Sequence, residues 1–469
     1  MPLLSILIIN IAMAQSAQPD LTPDPRIAAA IGQASGEIAV QSLDADTFAR
    51  LALIVSGADE NRTEKLTSRL LSAAAELKAS LAAKTGSAQA DDSAKTEAVM
   101  EYLYSRILTR YSELQTRVDA ALESGTYNCV SASILFYYLA ESVGLDVEGV
   151  ETPEHSFCTV LINGARIDVE TTNPYGFNPG SKKALVPSAA DEKRWVIVPQ
   201  TKYLNRKPVG DRRLLALVYG NRITIKEREG DYAQAVTLAV NADALQGTAE
   251  SRRSLAQSFV NYAIGLSRQG KHLEGIDFIV GIEVGREPYA GYADYIASAS
   301  GAYLNDCMTK DDFRTAFDFL SRYQAAIESG QYGQLSLAVT FNYLQYTVDR
   351  TSLDGALTEI HAAHGTIPAS EYEKLIVYAW SREGERIAKG KLWLEAAAAV
   401  EKGLTEIPGQ SDLLRQRIIY RQNYAIDIHN KAAAAWNSGN AETVRQLLDD
   451  ALSLVPESAL LRNDRSKME

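Results

Sequence analysis

The chain has 469 residues, 46% of them hydrophobic, a length beyond what one compact core organises, so two or three folded units are expected. With 47 Lys and Arg against 59 Asp and Glu the formal charge is −12, and no basic stripe occurs, which argues against a nucleic-acid partner and for a protein or peptide. Three cysteines, Cys129, Cys158 and Cys307, are too sparse for a disulfide framework, match no zinc spacing, and are accompanied by no cofactor motif or calcium loop.

Residues 2–11 are almost wholly apolar, and Ala12-Met13-Ala14 before Gln15 has the small-x-small form of a signal-peptidase site. Residues 1–14 are therefore expected to be a cleaved signal peptide, and the mature protein to be periplasmic or secreted, although no Lys or Arg precedes the apolar run. No other stretch approaches the ~18 to 20 apolar residues of a membrane span. A proline-punctuated leader, 15–25, opens a helical N-terminal region, 15–97. Phe48, Leu51, Ala52, Ile54 and Val55 form one apolar face, and Leu66, Leu70, Leu71, Ala74, Leu77 and Leu81 continue at helical spacing. Residues 84–95 read as a linker. A further helix carries Val99, Leu103, Ile107 and Leu108 up to about Tyr111.

The stretch from Gly125 to Ser131 ends a polar turn and opens an apolar helix over 130–143, with Cys129 at its start. Unpaired N–H groups and the helix dipole favour an anion there. The period then switches to strands at 147–150, 156–162, 165–169 and 195–198, with Asn163-Gly164 as a hairpin turn, giving an α+β unit over 98–200. A cysteine nucleophile needs a base and an acid to orient that base. His155 is the natural base, because the other four histidines lie in the C-terminal region. If Asn163-Gly164 is a two-residue turn, Thr159 faces Asp168 and Phe157 faces Glu170. Asp168 then stands roughly 13 Å out of register with His155, and Glu170 roughly 7 Å, within reach of its longer side chain. A four-residue turn over Leu161 to Gly164 would instead put Glu170 directly opposite His155, so Glu170 is the better orienting acid on either geometry and Asp168 the alternative.

From Arg212 onward helices return with repetition. Gly230 and Ala235, Gly270 and Gly275, and Ala316 after Asp311 place small residues at matching positions, while Gly403-Leu404 before Pro408 and Ala451-Leu452 before Pro456 mark helix ends. These features resemble tetratricopeptide repeats, degenerate in spacing, and imply about four to six helix pairs in an α-solenoid over 201–469. The fold class expected is thus mostly helical, with one small antiparallel sheet.

The order of Asn128-Cys129, Gly144-Leu145, His155 and Val169-Glu170-Thr171-Thr172-Asn173-Pro174 resembles the transglutaminase-like superfamily. There the last segment usually reads Val-Asp-x-Thr, so Glu170 with Thr172 takes the place of the aspartate and threonine. Aligning on Ile167-Asp168 instead keeps an aspartate and loses the threonine. The resemblance covers about 100 residues and implies thiol acyl transfer without a cofactor: peptide hydrolysis, deamidation or amide crosslinking. Cys129 would be the nucleophile, and its N–H one oxyanion donor. Asn128 and Tyr127 are weak candidates for the second. The expected function is an exported cysteine-dependent acyl-transfer enzyme with a protein-docking helical tail, joined through Tyr203-Leu204-Asn205-Arg206. The alternative is a catalytically inactive scaffold of the same architecture.

Overall fold

The computed structural model describes residues 18–32, 43–85, 90–177, 193–283 and 288–468. The expected signal peptide lies outside them. Helix dominates, at 71% with one small antiparallel sheet, and the chain divides into two compact units between Tyr295 and Ile296.

The first unit is built around a helix that has no polar face. This helix, α6 (Cys129–Ser142), buries every residue from Val130 to Ala140, which accounts for the missing amphipathic stripe in its sequence. Around it pack α2 (Ala45–Ser56), α3 (Glu60–Thr85), α4 (Asp92–Arg106), α5 (Val118–Ser124) and α7 (Asp211–Arg228). One continuous apolar cluster runs from Ile27 of α1 (Pro25–Ile31) through α6 to Leu245 of α8 (Tyr232–Gln246). The segments read separately from the sequence, 15–97, 98–200 and the first helices of 201–469, therefore share a core. No domain boundary falls at residue 200.

On one side of α6 lies a four-stranded sheet, β3 (Val147–Glu151), β4 (Ser156–Ile162), β5 (Ala165–Val169) and β6 (Lys207–Val209), in the order β5-β4-β3-β6 and antiparallel throughout. Asn163 and Gly164 both have positive φ, 50° and 79°, the backbone of a two-residue hairpin turn whose twist matches that of the strands. The turn sets Ile162 opposite Ala165 and Thr159 opposite Asp168, the register expected. A second, two-stranded parallel pair joins β1 (Arg110–Tyr111) to β2 (Thr126–Tyr127) just before α6.

Several expectations need correction. Residues 195–198 form no strand, and the sheet's fourth strand is β6, a short edge whose Pro208 gives little β signal. The linker shrinks, because α3 extends to Thr85 and α4 starts at Asp92, capped by Asp91. Helix α4 ends at Arg106 rather than near Tyr111, since Tyr111 pairs in β1. Helix α5 was not read from the sequence.

After α8 come α9 (Ala249–Arg268), α10 (His272–Glu283) and α11 (Ala290–Thr309), within which the two units divide. The second unit comprises the rest of α11, α12 (Phe313–Tyr323), α13 (Ser329–Arg350), α14 (Leu353–Ala362), α15 (Ala369–Lys389), α16 (Trp393–Glu406), α17 (Ser411–Asn437), α18 (Ala441–Leu454) and α19 (Ala459–Ser466). From α12 on, each helix packs on the next. The small residues sit at these contacts: a Cβ on Gly403 would come 2.7 Å from the Trp380 ring of α15, and Ala316 and Ala451 are fully buried. Among the described residues, no helix is long and apolar enough to cross a membrane.

Candidate active site

Cys129 is placed by its neighbours on both sides. Gly125, with φ of 72°, ends α5, and a Cβ there would lie 2.2 Å from Thr109 Oγ1, so the chain enters β2 close against the strand of Tyr111. Asn128 then caps α6. Its side chain accepts from Val130 N–H at 3.0 Å and Ser131 N–H at 3.2 Å, while Ser131 Oγ accepts from Asn128 N–H at 3.0 Å, a reciprocal capping box. The fourth amide of the helix, Ala132, donates to Asn128 O. Of the first four N–H groups only that of Cys129 has no partner among the described residues, and it sits beside its own half-buried thiol.

His155 and Glu170 meet at the open end of the β4–β5 hairpin. Glu170 follows the last paired residue of β5, and its longer side chain reaches back: His155 Nε2 donates to Glu170 Oε2 at 2.8 Å. Both side chains are almost fully buried. A buried carboxylate is costly unless its lone pairs are satisfied. Here Oε1 accepts from Thr172 N–H at 3.0 Å and Thr172 Oγ1 at 2.7 Å, and Oε2 accepts a second bond from the Tyr203 hydroxyl. Burial opposes the charged form of Glu170, but the His155 hydrogen bond and charge, with Tyr203 and Thr172, hold its carboxyl below the usual range.

Glu170 occupies Nε2, which leaves Nδ1 of His155 for the thiol. Burial works against protonating the ring, and hydrogen bonds and charge from Cys129 and Glu170 outweigh it, raising His155 to about 9. At neutral pH the imidazole therefore carries a proton. The Tyr203 ring closes over this pair, its centroid 5.8 Å from that of His155 and 5.2 Å from that of Phe157.

Of the four residues singled out in the sequence, three come together here: Cys129, His155 and Glu170. Asp168 does not. It is half-exposed and held bidentately by Arg206 at 2.6 and 2.9 Å, while that guanidinium also lies over the Phe157 ring. Nor can the two weak oxyanion candidates serve. The Asn128 side chain is engaged in the cap and with Glu113 O, and the buried Tyr127 hydroxyl donates to Arg194 O at 2.7 Å. Cys158 is fully buried with its thiol toward Ser133 O, and burial pushes it up; Cys307 is likewise buried.

Two contributors had no distinctive sequence signal. Tyr203 arrives 33 residues after the acid it bonds. Gly176 lies where a Cβ would fall 1.7 Å from Glu170 O, while its own carbonyl accepts from Glu170 N–H, so only glycine lets the loop fold back onto the acid. The turn-rich composition of residues 173–180 was the available hint. Among the described residues no group of His, Cys, Asp and Glu is placed to hold a metal ion.

No family model matches the chain, and no curated protein matches it. A solved structure, the crystal structure of menin that reveals the binding site for the Mixed Lineage Leukemia protein, overlaps with a TM-score of 0.27 and 11% identity over 71% of this chain and 83% of that one, too loose a likeness to bear on fold or function.

Proposed function

We propose that the protein is an exported, cysteine-dependent acyl-transfer enzyme of the transglutaminase-like type, with Cys129 as nucleophile, His155 as acid and base, and Glu170 as the residue that orients His155. The observation that carries this reading is the 2.8 Å bond from His155 Nε2 to a fully buried Glu170, which leaves the other ring nitrogen available to a thiol at a capped helix start. The thiolate attacks an amide carbonyl, His155 gives its proton to the leaving amine, and water or a second amine then takes the acyl group with His155 as base. The helices from α7 onward, with small residues at their contacts, are read as tetratricopeptide-like repeats that engage a protein or peptide substrate.

The test is alkylation by iodoacetamide at pH 6, with each modified cysteine mapped by mass spectrometry. Cys129 is expected to react at least about tenfold faster than Cys158, and His155→Gln, which can still donate to Glu170, to slow it about tenfold. Asp168→Asn should leave the rate within about twofold, because Asp168 faces Arg206. Equal rates at the two cysteines, or no response to His155→Gln, would sink the enzyme in favour of an inactive scaffold.

A further inference from the structure

The site as described has one oxyanion donor, the Cys129 N–H, and the obvious neighbours are engaged elsewhere. A second group is placed for the task. Tyr111 pairs with Tyr127 in the parallel β1–β2 register, and the two rings meet edge to face at 5.7 Å. Asn128 continues the strand with extended backbone, φ −129° and ψ −170°. The extended backbone of Asn128 carries the chain directly from Tyr127 to Cys129, the first residue of α6. Cys129 is thus two residues beyond the register partner of Tyr111, and both side chains pack against the same apolar cluster.

Tyr111 is held firmly: its N–H donates to Lys193 O at 3.0 Å, and Ser112 N–H donates to Tyr127 O at 2.8 Å. Its hydroxyl, by contrast, makes no hydrogen bond among the described residues, whereas the neighbouring Tyr104 and Tyr127 hydroxyls both do. Half-buried phenols ordinarily find a partner. We infer that the Tyr111 hydroxyl is the second oxyanion donor, bonding the substrate carbonyl oxygen as Cys129 attacks. Burial, then the charge of Cys129, holds this phenol above its ordinary range, which keeps its proton in place for donation.

The inference rests on Cys129 being the nucleophile, and two reagents separate the two ideas. Iodoacetamide alkylates a thiolate by displacement at a saturated carbon, and no oxyanion forms. p-Nitrophenyl acetate requires one. There the sulfur bonds the carbonyl carbon, the π pair moves to oxygen, and collapse expels p-nitrophenolate, leaving an acetyl thioester while His155 releases its proton to solvent. Water then attacks the thioester, His155 takes one of its protons, and collapse regenerates the thiolate and releases acetic acid, which gives its remaining proton to solvent.

Tyr111→Phe is expected to slow acetylation of Cys129 by about 100-fold, read as the p-nitrophenolate burst and as the acetylated peptide, while alkylation stays within about twofold. Unchanged acetylation would overturn the assignment, and so would an equal fall in both reactions, which would make Tyr111 a support for the thiol itself. A wild-type Cys129 that alkylates with His155 dependence yet accepts no acetyl group would refute the donor and leave the nucleophile standing. Absence of selective, His155-dependent alkylation would remove the nucleophile as well.

Discussion

The two units bury different things. The first encloses charged and titratable groups, among them Asp119, His155, Glu170, Asp211 and Arg212, and several take part in hydrogen-bonded networks. Among the described residues of the second, the buried polar side chains are Ser300 and Thr347, and its ion pairs, such as Arg421 with Glu457, lie at the surface. Helices can be stacked on aliphatic, small and aromatic contacts without buried charge, as α15 to α17 are with Leu375, Ile376, Trp380, Val400, Gly403 and Leu413. Burying a carboxylate against an imidazole adds a desolvation cost that such stacking does not need. A fold that accepts that cost in one place, beside a half-buried cysteine, has the electrostatic pattern of a functional site.

The contrast predicts unequal penalties. Glu170→Ala strands His155 with a buried positive charge and leaves Thr172 and Tyr203 without an acceptor, so a loss of about 3–5 kcal/mol is expected. Glu457→Ala removes an exposed partner of Arg421 and should cost less than about 1 kcal/mol. Urea denaturation of the full chain, followed by tryptophan fluorescence and far-UV circular dichroism, measures both. Equal shifts would dissolve the distinction between the units.

A second test uses pH. His155 is raised from 6.5 to about 9 in the folded protein, so its contribution to stability is complete below about pH 6.5 and is lost as pH rises through 9. The shift corresponds to about 3 kcal/mol. Glu170 works in the opposite window: its carboxyl is lowered, so its contribution holds above the ordinary carboxylate range and is lost as pH falls through its folded value. The first unit should therefore lose stability as pH rises from about 6.5 through 9, and His155→Gln should flatten that limb and also weaken the acid limb, because the His155 charge is one of the groups that hold Glu170 low. A wild-type profile flat across the alkaline range would show that the ring is not held protonated.

Much of this site was legible because strand geometry is strict. Once Asn163-Gly164 is recognised as a two-residue turn, the period of two sends Asp168 opposite Thr159, and a glutamate's extra methylene makes up the remaining offset of Glu170 from His155. The mostly apolar run after Cys129 likewise announced a helix over 130–143. What could not be read depended on contacts distant in sequence. Tyr203 bonds Glu170 through a connection of no strong pattern, β6 is three residues long with a proline in it, and β1 and β2 are two residues each. The division of the chain escaped for a related reason: the helices after residue 210 look alike in sequence, yet Leu214, Leu215, Val218 and Tyr219 of α7 belong to the core around α6.

The finest comparison is between two glycines, one in each unit. A methyl group on Gly176 would sit 1.7 Å from Glu170 O, so Gly176→Ala must push the 173–177 turn off the acid and loosen the Glu170 carboxylate that holds His155. A methyl on Gly403 meets the Trp380 ring at 2.7 Å, and Gly403→Ala must part α15 from α16 instead. Both are overpacking changes expected to cost about 1–3 kcal/mol, so stability alone does not tell them apart. Cys129 does. Its alkylation rate should fall about threefold to tenfold in Gly176→Ala, through the displaced acid, and stay unchanged in Gly403→Ala. A response to Gly403→Ala would mean that the packing of the second unit governs the thiol, and the separation of a charge-burying unit from a stacking unit would have to be abandoned.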